Sequence, residues 1–222
     1  MNRNTSLFVA LTIVALALGA THAVAQGTAG TAGTAKPDLA KAKEIAQGVC
    51  AACHGADGNS ALSVNPNLAG QGADYITRQL QHFKSGVRAN PIMQGMAATL
   101  TPADMTALGL YYSQQKGKPL AAKDPALIKA GQSLYRAGNT ATALPACSAC
   151  HLPNGAGVPS NFPRLSGQHA EYTYAQLKAF KSGERGNDKD GIDVNGKIMR
   201  AIAQRLDDTQ MKALADFSAG LR

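Results

Sequence analysis

Apolar residues follow the helical repeat in two segments that lie about a hundred residues apart. Ile76, Leu80 and Phe83 recur at positions i, i+4 and i+7, the spacing that places side chains on one face of an α-helix. Leu177 and Phe180 occupy the equivalent positions of the second segment. No segment alternates apolar and polar residues as a half-buried strand does. The pattern therefore predicts an all-α protein.

Helix start signals predict two further helices that also correspond to each other. Thr101 supplies a capping hydroxyl, Pro102 suits the first turn and Asp104 is an early acid. Asp207 begins the corresponding helix, with Gln210 in the capping-box position. Two more helices are predicted near residues 40–48 and 126–136.

The N-terminal segment, residues 1–25, has the features of a secretory signal peptide. Arg3 precedes an apolar run over residues 7–18, and we expect cleavage after Ala25. An uncleaved membrane anchor is the less favoured alternative, because the run is shorter than the roughly 20 residues that cross a bilayer. Residues 26–37 repeat Gly-Thr-Ala without an apolar face, which predicts a flexible linker.

Composition and charge favour a globular protein that does not bind nucleic acid. The 222 residues are 45% hydrophobic and 16% charged, a globular balance. The formal net charge is +8; without Arg3 it is +7, spread as about +3 and +4 over the two halves. The chain has no Trp and no basic cluster interleaved with aromatic rings, so stacking platforms for bases are scarce.

All four cysteines lie in two C-x-x-C-H motifs. The motifs are Cys50-Ala51-Ala52-Cys53-His54 and Cys147-Ser148-Ala149-Cys150-His151. A thioredoxin-like redox pair would follow a strand, and no β-rich run precedes either motif. Paired motifs of zinc ribbons usually lie roughly 15 to 20 residues apart, much closer than these. Covalent attachment of haem c uses two thiols and needs the adjacent histidine under the iron, so the motifs predict two covalently attached haem groups.

An internal duplication relates the two motifs. A shift of 97 residues superposes one C-x-x-C-H motif on the other, residues 68–75 on 165–172, and the F-K-S-G-x-R segment 83–88 on 180–185. The chain is therefore two copies of one module.

A proline stands twelve residues after each motif histidine, at Pro66 and Pro163. A backbone carbonyl at that place can accept the imidazole Nδ1 proton and orient the ring. The alternative is a proline that only makes a turn.

The duplication also indicates distal iron ligands. Nine extra residues lie within residues 186–198 of the second copy, after which the offset becomes 106 and places Met93 on Met199. Met96 falls on Ile202 and is the substitute candidate in the first module. The alternative for Met93 or Met199 is filling a gap in an apolar cleft. Met105 and Met211 have helical spacing with leucines and are predicted to be core residues.

Three polar features have no predicted ligand role. The Asp-rich insertion that starts at Asp188 resembles a calcium loop, but its glycine comes early and Met199 stands where the bidentate acid belongs. We expect a solvated insertion. His82 and His169 have no histidine counterparts, and we expect both at the surface.

The paired motifs, the L-x-G-Q-x-x-x-Y and F-K-S-G-x-R segments and the two downstream methionines resemble the dihaem cytochrome c4 family over residues 38–221. The resemblance implies two class I cytochrome c domains, residues 38–116 and 126–222, joined by a linker over 117–125, with haem propionates near their interface. It also implies the ligand set. The thioether bonds form at Cys50, Cys53, Cys147 and Cys150, the proximal ligands are His54 and His151, and the distal ligands are Met93 and Met199.

The resemblance implies a periplasmic electron carrier rather than an enzyme. Electrons would pass from a quinol-oxidising complex, such as a quinol-cytochrome c reductase, to a terminal oxidase. Six-coordinate iron leaves no open position for substrate, and a thioether ligand raises the reduction potential. The positive charge favours docking to an acidic patch. The alternatives are the dihaem subunit of an enzyme such as flavocytochrome sulfide dehydrogenase, and a haem peroxidase, against which the paired methionines argue. Arg88 and Arg185 either pair with propionates or lie at solvated helix ends.

Overall fold

The computed structural model describes residues 36–222, which form one compact unit. The predicted signal peptide and all but the last two residues of the predicted linker lie outside the described residues. In the described part, no helix is long and apolar enough to cross a bilayer.

The first module has five helices and one turn of π-helix. Helix α1 continues through the π-helical turn into α2, so the first C-x-x-C-H motif ends the opening helical run. The elements are α1 (Leu39–Ile45), the π-turn (Ala46–Cys50), α2 (Ala51–His54), α3 (Ala73–Ser85), α4 (Pro91–Ala98) and α5 (Pro102–Ser113).

The second module repeats this order with a longer opening. A loop with one 3₁₀ turn (Thr140–Thr142) separates its first helix from its C-x-x-C-H motif. The helices are α6 (Pro125–Ala137), α7 (Ser148–His151), α8 (Ala170–Ser182), α9 (Val194–Ala203) and α10 (Asp208–Ala219). Residues 36–222 contain two isolated β-bridges and no strand, which confirms the all-α prediction.

The predicted helix starts are confirmed. Thr101 and Asp104 form a complete capping box at α5, and Asp207 and Gln210 form one at α10. These caps satisfy backbone N–H groups that the first turn of a helix leaves unpaired.

Each module has its own hydrophobic core. In the first, α5 packs against α3 and α1, and Met105 and Leu108 are almost fully buried. In the second, α10 packs against α6 and α8 around Met211. The prediction that Met105 and Met211 are core residues is confirmed. Gly131 lets α6 approach α10 closely, since a Cβ there would lie 2.3 Å from the carbonyl oxygen of Ala213.

The two modules join through hydrogen bonds related by the 97-residue offset. The Gln168 side chain accepts from the Asn67 N–H (2.8 Å) and donates to the Asn67 carbonyl (3.0 Å). Gln71 makes the same pair of bonds to the backbone of Arg164, at 2.9 and 3.0 Å. Each contact therefore occurs twice with the modules exchanged, as in an isologous interface.

Contacts between the modules bury His82 and half-bury His169, so the expectation of a surface histidine is wrong for His82. His82 is 4% exposed, and His169 is half-buried with its Nε2 3.0 Å from the carbonyl oxygen of Ser60 in the other module. Sequence periodicity does not reveal burial by a second module.

The Asp-rich insertion is solvated only in part. Lys189 and Asp190 are exposed, but Asp193 is buried, caps α9 and lies 4.0 Å from Nδ1 of His82. The insertion thus ends as a contact between the modules, and its prediction as wholly solvated is wrong.

Replacing Gln168 with Leu is expected to lower the free energy of unfolding by about 2 kcal/mol or more. The change leaves the buried Asn67 N–H and carbonyl without partners, and each unsatisfied group costs roughly 1–3 kcal/mol. Denaturant unfolding of the holoprotein measures the loss. Ser63→Ala is the matched control, because it removes an exposed hydrogen bond to Glu171 in the other module. Equal, small losses in both variants would contradict this account of the interface.

The ion pair between Lys41 and Asp104 predicts a loss of stability in acid. Lys41 Nζ lies 2.6 Å from Asp104, and hydrogen bonds from Lys41 and then Thr101 lower the pKa of Asp104 to about 2. A carboxyl with a lowered folded-state pKa stabilises the fold above its unfolded value, 3.8, and loses this contribution as the pH falls toward 2. The stability difference between wild type and Asp104→Asn should therefore shrink between pH 5 and pH 2; a constant difference would disprove it.

Candidate haem sites

Both C-x-x-C-H motifs end a short helix with the histidine buried. His54 is 8% exposed at the end of α2, and His151 is 6% exposed at the end of α7. None of the four cysteines is in a disulfide. Within residues 36–222, no three His, Cys, Asp or Glu side chains converge on a metal-binding position, so the two pairs do not meet in one zinc site.

The ring of each motif histidine is held by the predicted carbonyl. Nδ1 of His54 lies 2.9 Å from the carbonyl oxygen of Pro66, and Nδ1 of His151 lies 2.9 Å from that of Pro163. This confirms the predicted role of the carbonyl; the prolines do more than make a turn. An Nδ1–H donated to a carbonyl leaves Nε2 as the nitrogen that can bind a metal.

Burial favours the neutral form of both imidazoles. It lowers the pKa of His54 and of His151, and the hydrogen bonds to the prolyl carbonyls oppose the shift only in part. Because a neutral imidazole is the form that ligates iron, each ring is prepared for coordination.

The first cysteine of each motif is held away from solvent. Cys50 and Cys147 are half-buried, and burial raises the pKa of Cys50 and raises that of Cys147 to about 11. Thiols in such surroundings stay protonated near neutral pH. Cys53 is exposed and Cys150 is half-buried.

The two candidate methionines lie on corresponding helices. Met93 is on α4, where Asn90 caps the helix by accepting from the Met93 N–H at 2.9 Å. Met199 is on α9 and packs against the second core. Both side chains are half-buried, whereas Met96 is 47% exposed.

A network of six polar side chains crosses the interface at its centre. Each arginine bonds a glutamine of its own module together with a glutamine and a tyrosine of the other module. For Arg88 the acceptors are Gln79 (2.8 Å), Tyr172 (2.9 Å) and Gln176 (2.8 Å); for Arg185 they are Gln176 (2.8 Å), Tyr75 (3.0 Å) and Gln79 (3.0 Å). The expectation of solvated helix ends is therefore wrong for both arginines.

The two guanidinium groups of this network are buried without a bonded carboxylate. Arg88 and Arg185 are 8% and 7% exposed, and neither is among the ion pairs of residues 36–222. Arg88 lies over the Phe83 ring and Arg185 over the Phe180 ring. The buried Nε of Arg185 has no hydrogen-bond partner among the described residues.

The charge of these arginines acts on their neighbours. Burial opposes ionisation of Tyr75, but the guanidinium groups of Arg185 and Arg88 outweigh it and lower the pKa of Tyr75. Buried charges are normally paired. The charge of Asp193 acts on Arg185, but neither arginine bonds a carboxylate, so the site fits a group that brings its own carboxylates. The propionates of haem have that chemistry, and the residues present therefore fit the cofactor.

The sequence does not single out the two glutamines and two tyrosines of this network as functional residues. The only signal is that all of them, like the arginines, recur at the 97-residue offset. A recurring polar residue on an apolar helix face is the pattern to look for in a duplicated chain.

Comparison with known proteins agrees with this arrangement. The cytochrome c family model matches residues 39–116 and again 128–220. Cytochrome c4 of Azotobacter vinelandii is 40% identical over 222 residues, covering 96% of this chain and 98% of the relative. The thiosulfate dehydrogenase electron acceptor of Thiomonas intermedia is 41% identical over 173 residues, 77% of each chain.

The fold is also found in a solved relative. The crystal structure of reduced recombinant cytochrome c4 from Pseudomonas stutzeri superposes with a TM-score of 0.77 at 40% identity, covering 84% of this chain and all of that one. The chain thus belongs to the cytochrome c family and, within it, to the dihaem cytochrome c4 proteins, which carry electrons on two covalently attached haem c groups.

Proposed function

We propose that each module holds its haem through the residues of its C-x-x-C-H motif and one downstream methionine. The observation that carries this proposal is the pair of buried imidazoles, each tied through Nδ1 to a prolyl carbonyl. In the first module, Cys50 and Cys53 form the thioether bonds and His54 and Met93 are the axial ligands. In the second, Cys147 and Cys150 form the bonds and His151 and Met199 are the ligands.

The bound haem supplies one-electron chemistry at its iron, and the chain sets the conditions for it. The carbonyls of Pro66 and Pro163 hold the imidazole rings in one orientation and raise their basicity. A thioether ligand from methionine raises the reduction potential. With both axial positions occupied, neither module offers a place for substrate, so the function is outer-sphere electron transfer without turnover.

Arg88 and Arg185 have a second role in this proposal, as partners of the propionates. Their buried charge has no carboxylate partner within bonding distance in residues 36–222, and guanidinium groups bind carboxylates by charge-assisted hydrogen bonds. Because each arginine also bonds the other module, the same residues would hold the cofactors and the interface.

The proposed site of action is the periplasm, reached through the signal peptide of residues 1–25. There the protein would accept electrons from a quinol-oxidising complex and pass them to a terminal oxidase. Without Arg3 of the signal peptide, the formal net charge is +7. This charge favours weak encounters with acidic patches on both partners, and salt weakens them.

A thiosulfate dehydrogenase is the second candidate donor. Two observations favour it: the relative named thiosulfate dehydrogenase electron acceptor, and a solved thiosulfate dehydrogenase (TsdBA) from Marichromatium purpuratum. The latter matches with a TM-score of 0.73 at 34% identity, covering 83% of this chain and 40% of that chain. These two matches favour thiosulfate dehydrogenase over the flavocytochrome alternative.

Rapid-mixing reduction of the oxidised holoprotein separates the two donors. A purified quinol-oxidising complex with quinol, and a thiosulfate dehydrogenase with thiosulfate, are compared at equal concentration. We expect faster reduction by the quinol-oxidising complex, with a rate that falls as ionic strength rises. Faster reduction by thiosulfate dehydrogenase would assign the second function, and rates independent of salt would refute docking by charge.

Replacing Met93 or Met199 with Ala, one at a time, is expected to remove the far-red absorption of one oxidised His/Met haem and to lower the potential of that haem alone. The reason is that loss of the thioether removes the ligand that stabilises reduced iron. Absorption spectra and a redox titration measure both effects. Met96→Leu is the control and should change neither, since Met96 is largely exposed. If Met96→Leu removes the band instead, the distal ligand of the first module is misassigned.

A further inference from the structure

A buried tyrosine lies beside the first cysteine of each motif. Tyr112 is 2% exposed and belongs to the core cluster against which Cys50 packs. Tyr135 is 0% exposed and belongs to the cluster against which Cys147 packs. Burial raises the pKa of both tyrosines, and the adjacent cysteine raises each further.

The two tyrosines come from different helices and are not related by the duplication. Tyr112 is on α5, and its counterpart at the 106-residue offset is Ser218 on α10. Tyr135 is on α6, whereas the buried residues of the opening helical run of the first module are Ala42, Ala46 and His54. Each module therefore places one phenol near its first cysteine, but from a different helix.

Because the two tyrosines lie on different helices, their hydroxyl groups have different surroundings. Tyr135 donates to the carbonyl oxygen of Leu152 at 2.7 Å, and this donor is thereby used within the chain. The Tyr112 hydroxyl is buried and has no nitrogen or oxygen acceptor among the described residues, and the sulfur of Cys50 is the polar atom beside it. A buried donor without an acceptor costs roughly 1–3 kcal/mol, so the position favours a hydrogen bond from this hydroxyl to the sulfur of Cys50.

We propose that the Tyr112 hydroxyl donates to the sulfur through which Cys50 is bonded to the haem of the first module, and that Tyr112 thereby raises the reduction potential of that haem alone. The inference rests on the proposed haem attachment at Cys50. Sulfur in a thioether is a weak acceptor, so the bond is modest. A donor on that sulfur withdraws electron density from the attached porphyrin and stabilises the reduced state, as hydrogen bonding around a haem does in general.

The proposal makes the two haems inequivalent for a stated reason. Tyr135 cannot supply the same bond while Leu152 holds its hydroxyl. In this proposal Tyr112 acts on the haem through the Cys50 sulfur and is a positioning residue.

The experiment compares Tyr112→Phe and Tyr135→Phe in the mature holoprotein. Both changes remove one hydroxyl and keep the ring, so they form a matched pair. The potential of each haem is measured by titration followed through haem-resolved NMR signals, and intact mass first confirms that both haems are attached. Resonance Raman spectra of the carbon–sulfur stretch give a second readout that a purely structural role does not move.

Tyr112→Phe is expected to lower the reduction potential of the first haem and to shift its carbon–sulfur band. The expected change is up to about tenfold in the one-electron equilibrium constant, which corresponds to 59 mV. Tyr135→Phe should change both reduction potentials by less than Tyr112→Phe changes that of the first haem. It should instead lower the free energy of unfolding, because the Leu152 carbonyl loses its donor. An unchanged first haem in Tyr112→Phe, or a larger shift in the second haem, would overturn the proposal. A chain without haem at Cys50 would instead overturn the proposed attachment.

Discussion

The fixed imidazole is the constraint on which the rest of the structure depends. The histidine of a C-x-x-C-H motif can ligate iron only if its ring is neutral, and a fixed orientation prepares it for coordination. Burial lowers the pKa of His54 and of His151, which favours the neutral ring, and the carbonyl oxygens of Pro66 and Pro163 lie 2.9 Å from Nδ1 as acceptors. The loop that follows each motif contributes to this geometry, because it must return to the ring twelve residues after the histidine and place its carbonyl there.

The interface shows how a duplicated module becomes one protein with two centres. The same pair of hydrogen bonds occurs twice, once between Gln168 and the backbone of Asn67 and once between Gln71 and the backbone of Arg164. This is the arrangement of a symmetric dimer. Two buried arginines cross the same interface, and neither bonds a carboxylate among residues 36–222. Two features depart from this symmetry. The insertion brings Asp193 close to His82, and the tyrosine near the first cysteine is Tyr112 on α5 in one module and Tyr135 on α6 in the other. Differences between the two haems are to be sought at these places.

The elements that sequence predicts here are those encoded locally. Periodicity and caps predict α3, α5, α8 and α10. The cysteine spacing identifies the two motifs, and the duplication then indicates the prolines and the paired methionines. Burial of His82 is not predicted, because it depends on the surface of the other module. The partners of Arg88 escape prediction for the same reason, since Tyr172 and Gln176 lie more than eighty residues away in sequence. The buried position of the Tyr112 hydroxyl follows from packing of α5, which composition and spacing do not encode.

The central claim is that each module carries one haem bonded through its own cysteine pair. Intact-mass spectrometry of the mature protein, produced in a periplasm with its haem-ligation machinery, tests this most directly when combined with variants in which one cysteine pair is replaced by alanines. The account predicts the mass of the chain plus two haems, and plus one haem in each variant. A colourless protein with the mass of the bare chain, or a variant that loses both haems while remaining folded, would contradict it.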